Sequence, residues 1–455
     1  MNYPETGGAD AAAVSLLLGM PRFGAGVGLH RMLPFLEALP SADWLKTLDA
    51  IRVTGSKGKG SVSVFCSEIL RHLGFATGLF TSPHLIHFHE RMRIDRRPIG
   101  GDDLVAAVNW FDGLRHQYER LQPGDRVGAF EGITAVALHH FCERRVAAVV
   151  AEAGIGGRYD PTRVIPGRIV ALTSVELEHT ALLGDSLELI AYNKADLCRP
   201  GGTLVLGEVD ADVCRRLRGY CRVLGVELVE AGRHSQVSGV SFEDHTMRFS
   251  MTCDGLRMED LTCALVGDHQ ARNAALAALT VRRWLSHNRK PVADAVFEAA
   301  VRRALSAVEW PGRLQRVRTQ PEIVVDVGHT QQSARAAAQT MRQLRPGAPI
   351  LLVAGISTDK DVAGILSKLV PIATQVICTR ARHKGADPAV LARRCEEIAP
   401  GIVWKTTDEV RDALDLAIDR ALTDGMIVLV AGGLFLAAEA IVCLRGDDPS
   451  NLRFF

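Results

Sequence analysis

The sequence predicts an α/β protein of two lobes, each built on a mainly parallel sheet, with a small antiparallel appendage on the first. Three observations carry that prediction. From about Ile51, short β-branched runs alternate with amphipathic stretches, the pattern of β-α-β units. Around 235–265 the text changes to single-residue alternation, as in VSFEDHTMRFSMTC, which reads as a few antiparallel strands. After the proline and glycine break at Glu309-Trp310-Pro311-Gly312-Arg313 the α/β pattern restarts. A chain of 455 residues exceeds one ordinary core, so we divide it into 1–308 and 309–455.

The elements follow in order. Residues 51–54 read as a strand and 55–61 as a glycine loop. Val62, Phe65, Ile69 and Leu73 then share one helical face, which should pack on the sheet. Further strands are expected at 146–151, 169–173 and 203–206, each ending in glycine, acidic or hydroxyl residues. An alanine-rich helix covers 270–286, and second-lobe strands are expected at 323–326, 350–355, 376–379 and 427–431, a smaller Rossmann-like α/β domain. Open α/β sheets bind ligands at the carboxyl ends of their strands, so chemistry is sought there.

Composition excludes several classes. Apolar residues are 47% and charged residues 23% of the chain, the balance of a globular protein with sizeable cores. The formal net charge is +1 and no basic block interleaves with aromatics, so no nucleic-acid partner is expected. Ten cysteines lie scattered without a C-x-x-C pair, as small hydrophobes in a reducing compartment. The opening MNYPETGGADAAAVSLLLGMPRF places acids before its apolar run, unlike a secretory signal, and no apolar stretch reaches the ~18–20 residues of a membrane span. A cytoplasmic monomer without a membrane partner is the expectation.

Thr54-Gly55-Ser56-Lys57-Gly58-Lys59-Gly60-Ser61 lies where a strand gives way to a helix. Backbone N–H groups and the helix N-terminus at such a junction can surround phosphates. Lys59 is placed to reach the terminal phosphates, and the Ser61 hydroxyl to hold magnesium. This makes the first lobe a P-loop-type ATPase domain in which Gly55, Ser56, Lys57, Gly58, Lys59, Gly60 and Ser61 bind nucleotide. The run is shorter than G-x-x-x-x-G-K-[ST], with two residues between Gly55 and Gly58 and a glycine after the lysine. A flexible glycine turn is the plain alternative.

The shortened loop is accompanied by other ordered motifs. Thr81-Ser82-Pro83-His84-Leu85 precedes Phe88-His89-Glu90-Arg91-Met92-Arg93-Ile94; Glu152-Ala153-Gly154-Ile155-Gly156-Gly157-Arg158-Tyr159-Asp160 follows. His179 is followed by Leu183-Gly184-Asp185-Ser186-Leu187 and Ile190-Ala191-Tyr192-Asn193-Lys194-Ala195. Gly267-Asp268-His269-Gln270 with Asn273, then Pro311-Gly312-Arg313 and Asp326-Val327-Gly328-His329, complete the series. From roughly Gly28 onward this order resembles the folylpolyglutamate synthase and dihydrofolate synthase family of the Mur ligase group, with its T-N-G-K-G-S, T-S-P-H-L and E-x-G-x-G-G-R-x-D segments.

The resemblance implies an ATP-dependent ligase acting on two small molecules, a carboxylate acceptor (dihydropteroate or a folate) and an amino acid, L-glutamate. ATP and magnesium are the implied cofactors. Ser82, Glu152 and His179 would hold the magnesium at the γ-phosphate, with Ser61 at the nucleotide end. His269, Asn273, Asp326 and His329 would contact the nucleotide, and Arg313 would reach its phosphates and stabilise transferring charge. Lys59, Lys194, His179 and Arg313 would be the catalytic set, Lys194 in carbamylated form within a helix expected over 187–197. Taken singly, Glu152 reads as a capping carboxylate, His179 as a structural histidine, Lys194 as a solvated cation and Arg313 as a hinge salt bridge.

Departures concentrate elsewhere. Asn193 and Asp196 replace the family's Glu and Gly around Lys194, and Arg163 stands where the family has asparagine. Gly432-Gly433-Leu434-Phe435-Leu436 lacks the serine of G-S-L-[YF]-L, and Thr330-Gln331 replaces Asn-Pro after His329. Arg380, Arg382, His383 and Lys384 follow a strand end and could receive glutamate carboxylates, or form an ordinary surface cluster. Three rivals stay open: a diverged ligase using a non-folate acid, a nucleotide-binding scaffold without turnover, and a plain P-loop hydrolase or kinase.

Overall fold

The computed structural model describes residues 8–454; the N-terminal reading of residues 1–7 lies outside them. Three sheets organise the chain. The first has eight strands: β1 Ile51–Thr54, β2 Thr77–Phe80, β3 Met92–Ile94, β4 Arg97–Pro98, β5 Ala148–Glu152, β6 Ile169–Leu172, β7 Thr203–Leu206 and β8 Glu227–Glu230. Their spatial order is β4-β3-β2-β5-β1-β6-β7-β8, parallel from β2 to β8 with β3 and β4 antiparallel at one edge. β1, β2, β5 and β6 are buried along their whole length, as central strands of a sheet covered on both faces are.

The appendage is a three-stranded antiparallel sheet of β9 Ser235–Glu243, β10 Thr246–Cys253 and β11 Leu256–Cys263, ordered β11-β10-β9. In β10 the buried residues are Met247, Phe249, Met251 and Cys253, alternating with more exposed ones, so one face packs inward and the other meets solvent. The second α/β domain carries β12 Gln315–Thr319, β13 Glu322–Val325, β14 Ile350–Ala354, β15 Gln375–Cys378, β16 Val403–Thr406 and β17 Ile427–Ala431. Its order is β12-β13-β17-β14-β15-β16, parallel except for β12.

Helix Lys59–His72 continues directly from the glycine loop and buries Val62, Phe65 and Ile69, as its 3.6-residue spacing requires. It packs against helices Asp268–His287 and Asp294–Ala307, so the start of the loop helix is held from behind by a wide apolar core. Burying Phe65 alone contributes roughly 1.5–3 kcal/mol to that anchoring. The strand expected at 146–151 starts two residues later and ends one later, the strand expected at 323–326 sits one residue earlier, and the 187–197 helix ends at Ala195. The edge strands β4, β8, β12 and β16, with β3 beside β4 and the core strand β2, carry no signal that the sequence reading caught.

Candidate active site

The carboxyl ends of β1, β2, β5 and β6 open onto one cleft of about 1940 Å³. Its first wall is the glycine loop, 56–61. Gly55 takes φ +144°, and a Cβ there would lie 1.9 Å from Thr173 Oγ1, so no other residue fits beneath the loop. The segment after β6 pins the loop from the side: the Glu176 N–H donates to Ser56 Oγ at 2.9 Å, and the Lys57 N–H to Ser174 Oγ at 2.9 Å. Lys59, at the first position of the helix, folds its Nζ back to the Gly55 carbonyl at 2.8 Å. Gly60 and Ser61 are buried in the first turn, with Ser61 still lining the cleft.

The second wall comes from β2 and β5. Glu152 is 4% exposed and accepts the Ser82 N–H at 3.1 Å. Burial raises its pKa to about 7, against the opposing charges of Lys59, Arg313 and Arg91. The loop that presents Ser82 is shaped by Glu90, whose carboxylate accepts the backbone N–H groups of Leu85, Ile86 and His87 at 2.8–3.0 Å. Asp160 does the same for the turn after Glu152, accepting from Gly154 at 2.8 Å and Ile155 at 3.1 Å.

The third wall follows β6. His179 begins a short turn at φ +45°, exposed to the cleft, and burial by its surroundings lowers its pKa so that the imidazole is neutral at pH 7. Lys194 is 1% exposed, unlike a solvated helix cation, and its ammonium donates to Glu178 at 2.8 Å. Burial first, then the charge of Lys59, lowers its pKa to about 8. Glu178 was not singled out in the sequence; its only signal is that it adjoins His179. Asn193, one of the departures, accepts the N–H groups of Gly157 at 3.1 Å and Arg158 at 3.4 Å, holding the glycine-rich turn.

The second lobe closes the cleft. Gly312 has φ +74°, and a Cβ there would meet Val327 Cγ1 at 2.4 Å; glycine is what lets the hinge lie against β13's end and turn Arg313 inward. Asp326 accepts the Leu314 N–H at 3.0 Å and the Gly328 N–H at 2.7 Å. It is thus a clamp on the hinge as well as a cleft residue. His329 lines the cleft in the loop before helix Gln331–Leu344, and burial brings its pKa to about 4. Thr330 caps that helix, accepting from the Ser333 N–H at 3.3 Å, so its replacement of asparagine preserves the turn. On the first-lobe side, His269 and Asn273 line the cleft from helix Asp268–His287. A Cβ on Gly58 would meet Asn273 Oδ1 at 2.8 Å, which places the amide against the glycine loop.

Every residue nominated in the sequence for the nucleotide, magnesium or catalysis except Gly55 and Lys194 therefore lines one cleft, and those two lie directly behind it, Gly55 under the loop and Lys194 on Glu178. Arg380, Arg382, His383 and Lys384 do not line it; Arg380 pairs with Asp408 at 3.0 Å and Arg382 with Glu409 at 3.3 Å. A Cβ on Gly433, at the missing serine, would lie 3.9 Å from Ser357 Oγ.

Residues 312–434 match the family described as Mur ligase, glutamate ligase domain. Over 448 residues the chain is 30% identical to folylpolyglutamate synthase of Lacticaseibacillus casei, covering 98% of this chain and 99% of that protein. The chain belongs to the folylpolyglutamate synthase/dihydrofolate synthase family. Among solved structures of that family, Mycobacterium tuberculosis folylpolyglutamate synthase complexed with ADP superposes with a TM-score of 0.87 at 28% identity, covering 97% of this chain and 99% of that one. A folylpolyglutamate synthase complex with AMPPCP and folate gives 0.81 at 28% identity, covering 94% and 98%. Like these relatives, the chain has the family's α/β architecture with a second α/β domain. Among the described residues no helix is long and apolar enough to cross a membrane.

Proposed function

We propose that this family member joins L-glutamate to the carboxylate of a folate or dihydropteroate through an acyl phosphate, with release of ADP and phosphate. The observation that carries the reading is the single cleft shared by the glycine loop, Ser82, Glu152 and His179 on one side and Arg313, Asp326 and His329 on the other. The acceptor carboxylate oxygen forms a bond to the γ-phosphorus as the bond to ADP breaks. The glutamate nitrogen then attacks the activated carbonyl, and phosphate leaves as the amide forms. Lys59 and Arg313 stabilise the charge on the transferring group, and closure of residues 309–455 over residues 1–308, the two domains in this reading, excludes competing water. No enzyme nucleophile is required.

Magnesium fits the residues present. Ser61 and Ser82 hydroxyls, the Glu152 carboxylate and a neutral His179 imidazole face the cleft, and the hydroxyls and carboxylate are the hard donors that suit this ion. Among the described residues no three His, Cys, Asp or Glu side chains gather as a metal set, so phosphate and water oxygens would complete the shell. When bound, magnesium would neutralise phosphate charge. Lys194, with a pKa near 8, can supply the neutral amine that carbamylation needs, with the Glu178 ion pair exchanged for metal contact. Uptake of isotopically labelled bicarbonate by the wild type and not by Lys194→Arg is the expected result.

The acceptor's ring end belongs where the cleft is apolar: Phe130, against Gly154 just after Glu152, with Phe23, Val27, Ile155 and Tyr159. One chain supplies both walls of the cleft, which supports a monomer, and ten unpaired cysteines support a reducing, cytoplasmic setting. ADP release from ATP, measured with dihydropteroate or a reduced folate plus glutamate, tests the reading, with the amide product identified by mass spectrometry. Retained ATP binding with no stimulation by either acceptor would leave a ligase for another acid.

A further inference from the structure

The apolar end of the cleft has an exposed wall and a buried anchor. The wall is the loop 22–28, whose Phe23 and Val27 side chains are 45% and 64% exposed and line the cleft with Arg22. Exposed apolar side chains on an irregular loop do not hold themselves in place. The anchor is Arg31, 2% exposed, on the turn that follows.

The Arg31 guanidinium is fully committed. Its Nε donates to both oxygens of Glu131 at 2.9 and 3.0 Å, Nη1 donates to Asp125 at 2.8 Å, and Nη2 donates to the Gly26 carbonyl within the loop. Glu131 in turn accepts the Gly128 N–H at 2.6 Å, and Asp125 is held by Tyr118 at 2.5 Å and His30 at 2.7 Å. Backbone contacts run the same way: the Ala25 N–H donates to the Arg126 carbonyl at 3.0 Å, and the Ala129 N–H to the Pro21 carbonyl at 2.8 Å. A Cβ on Gly24 would lie 2.2 Å from the Arg126 carbonyl oxygen, so the two segments are in direct contact. A buried cation thus meets one buried carboxylate, Glu131, and one half-buried carboxylate, Asp125, and each of them touches the backbone or a side chain that fixes either the loop or the segment 125–131 beneath it. Removing the cation leaves the buried Glu131 carboxylate without its counter-ion, with only the Gly128 N–H among the described residues to hold it, which costs more than the pair itself is worth.

We propose that Arg31, acting through Glu131, Asp125 and Gly26, is a positioning residue that fixes loop 22–28 as one wall of the acceptor pocket and thereby sets acceptor affinity without touching the reacting atoms. This rests on the assignment of the apolar end to the acceptor. It separates two properties that a general packing role would move together: affinity for the acceptor and affinity for ATP, whose loop lies on the other side of Glu152.

The test uses the full chain with Arg31→Met, Arg31→Lys and Glu131→Gln. In steady-state assays with ATP, glutamate and dihydropteroate or a reduced folate, acceptor KM should rise at least tenfold in Arg31→Met, less in Arg31→Lys and Glu131→Gln, while the KM for ATP stays within twofold. In parallel, limited trypsin digestion followed by mass spectrometry reports cleavage after Arg22, which should be at least tenfold faster in Arg31→Met and slowed again in Arg31→Lys. An unchanged rate of cleavage at Arg22 in both Arg31→Met and Glu131→Gln, or equal rises in the KM for acceptor and for ATP, overturns the proposal. If the wild type is not stimulated by any folate-type acceptor, the functional reading fails, and the cleavage at Arg22 still decides whether Arg31 holds the loop.

Discussion

Two strand ends in this molecule carry clustered cations, and they treat them in opposite ways. After β1, Lys57 and Lys59 face a cleft in which Lys59 donates to a carbonyl of its own loop; Glu152, Glu176 and Glu178 act on the two lysines through charge without a direct ion pair, and burial lowers the Lys57 pKa. After β15, Arg380 and Arg382 lean outward, about half exposed, and are already matched by Asp408 and Glu409. The first arrangement leaves both ammonium groups without a direct ion-pair partner among the described residues and open to an anion in the cleft; the second pairs each guanidinium directly. Position at a strand's carboxyl end is therefore insufficient to make a binding site. What distinguishes the two is whether the nearby carboxylates pair directly with the cations.

The sharpest way to break this contrast is Lys59→Ala. If the glycine loop's charge serves phosphoryl transfer, ATP-dependent amide formation should fall by about a thousandfold or more, as for other groups that stabilise transferring phosphoryl charge. Activity within tenfold of wild type would remove the loop from the chemistry. Arg313→Gln comes next, with an expected loss in kcat of roughly a hundredfold and a small change in KM for the acceptor, read by steady-state kinetics.

Glu152→Gln sharpens the contrast from the carboxylate side, because here burial outweighs the nearby cations Lys59, Arg313 and Arg91. Burial raises the Glu152 pKa to about 7, so the ionised form is disfavoured in the folded protein. The sign follows: the penalty is absent below the ordinary value of 4.5, grows between there and pH 7, and is full above pH 7. Glu152→Gln should relieve on the order of 3 kcal/mol at pH 8, raising the ligand-free Tm by several degrees, and relieve almost nothing at pH 4.5. The same substitution should cost at least a hundredfold in turnover. Equal Tm values for the two proteins at pH 8 would show that the carboxylate is not held at a cost.

These contrasts also explain what the sequence could reveal. Strands such as β1, β7 and β17 were legible to the residue because they are buried on both faces and bounded by glycine or acidic residues. β4, with two residues, and the half-exposed β16 have no such signature, since edge strands are set by neighbours distant in sequence. At the site, Lys59, Glu152 and His179 stand in ordered motifs at strand ends. Glu178 and Arg31 act through partners that only folding supplies: Glu178 finds Lys194 sixteen residues on, and Arg31 finds Glu131 a hundred residues on. The Arg380 to Lys384 cluster reads in the sequence either as a glutamate site or as a surface cluster for the converse reason, because Asp408 and Glu409 lie later in the chain and give no local sign of their pairing with Arg380 and Arg382.

The smallest predicted effect is the one that tests this last point most directly. Arg380→Ala and Arg382→Ala each remove a half-exposed ion pair, which contributes at most about 1 kcal/mol. If these arginines are spent on Asp408 and Glu409, both variants should keep the KM for glutamate within twofold and shift Tm by no more than a few degrees. If the second lobe instead releases them to bind the incoming amino acid, the KM for glutamate should climb at least tenfold with kcat preserved. That outcome would mean the carboxylates at 408 and 409 act as placeholders for the glutamate carboxylates, and the two strand ends would then differ in timing and not in kind.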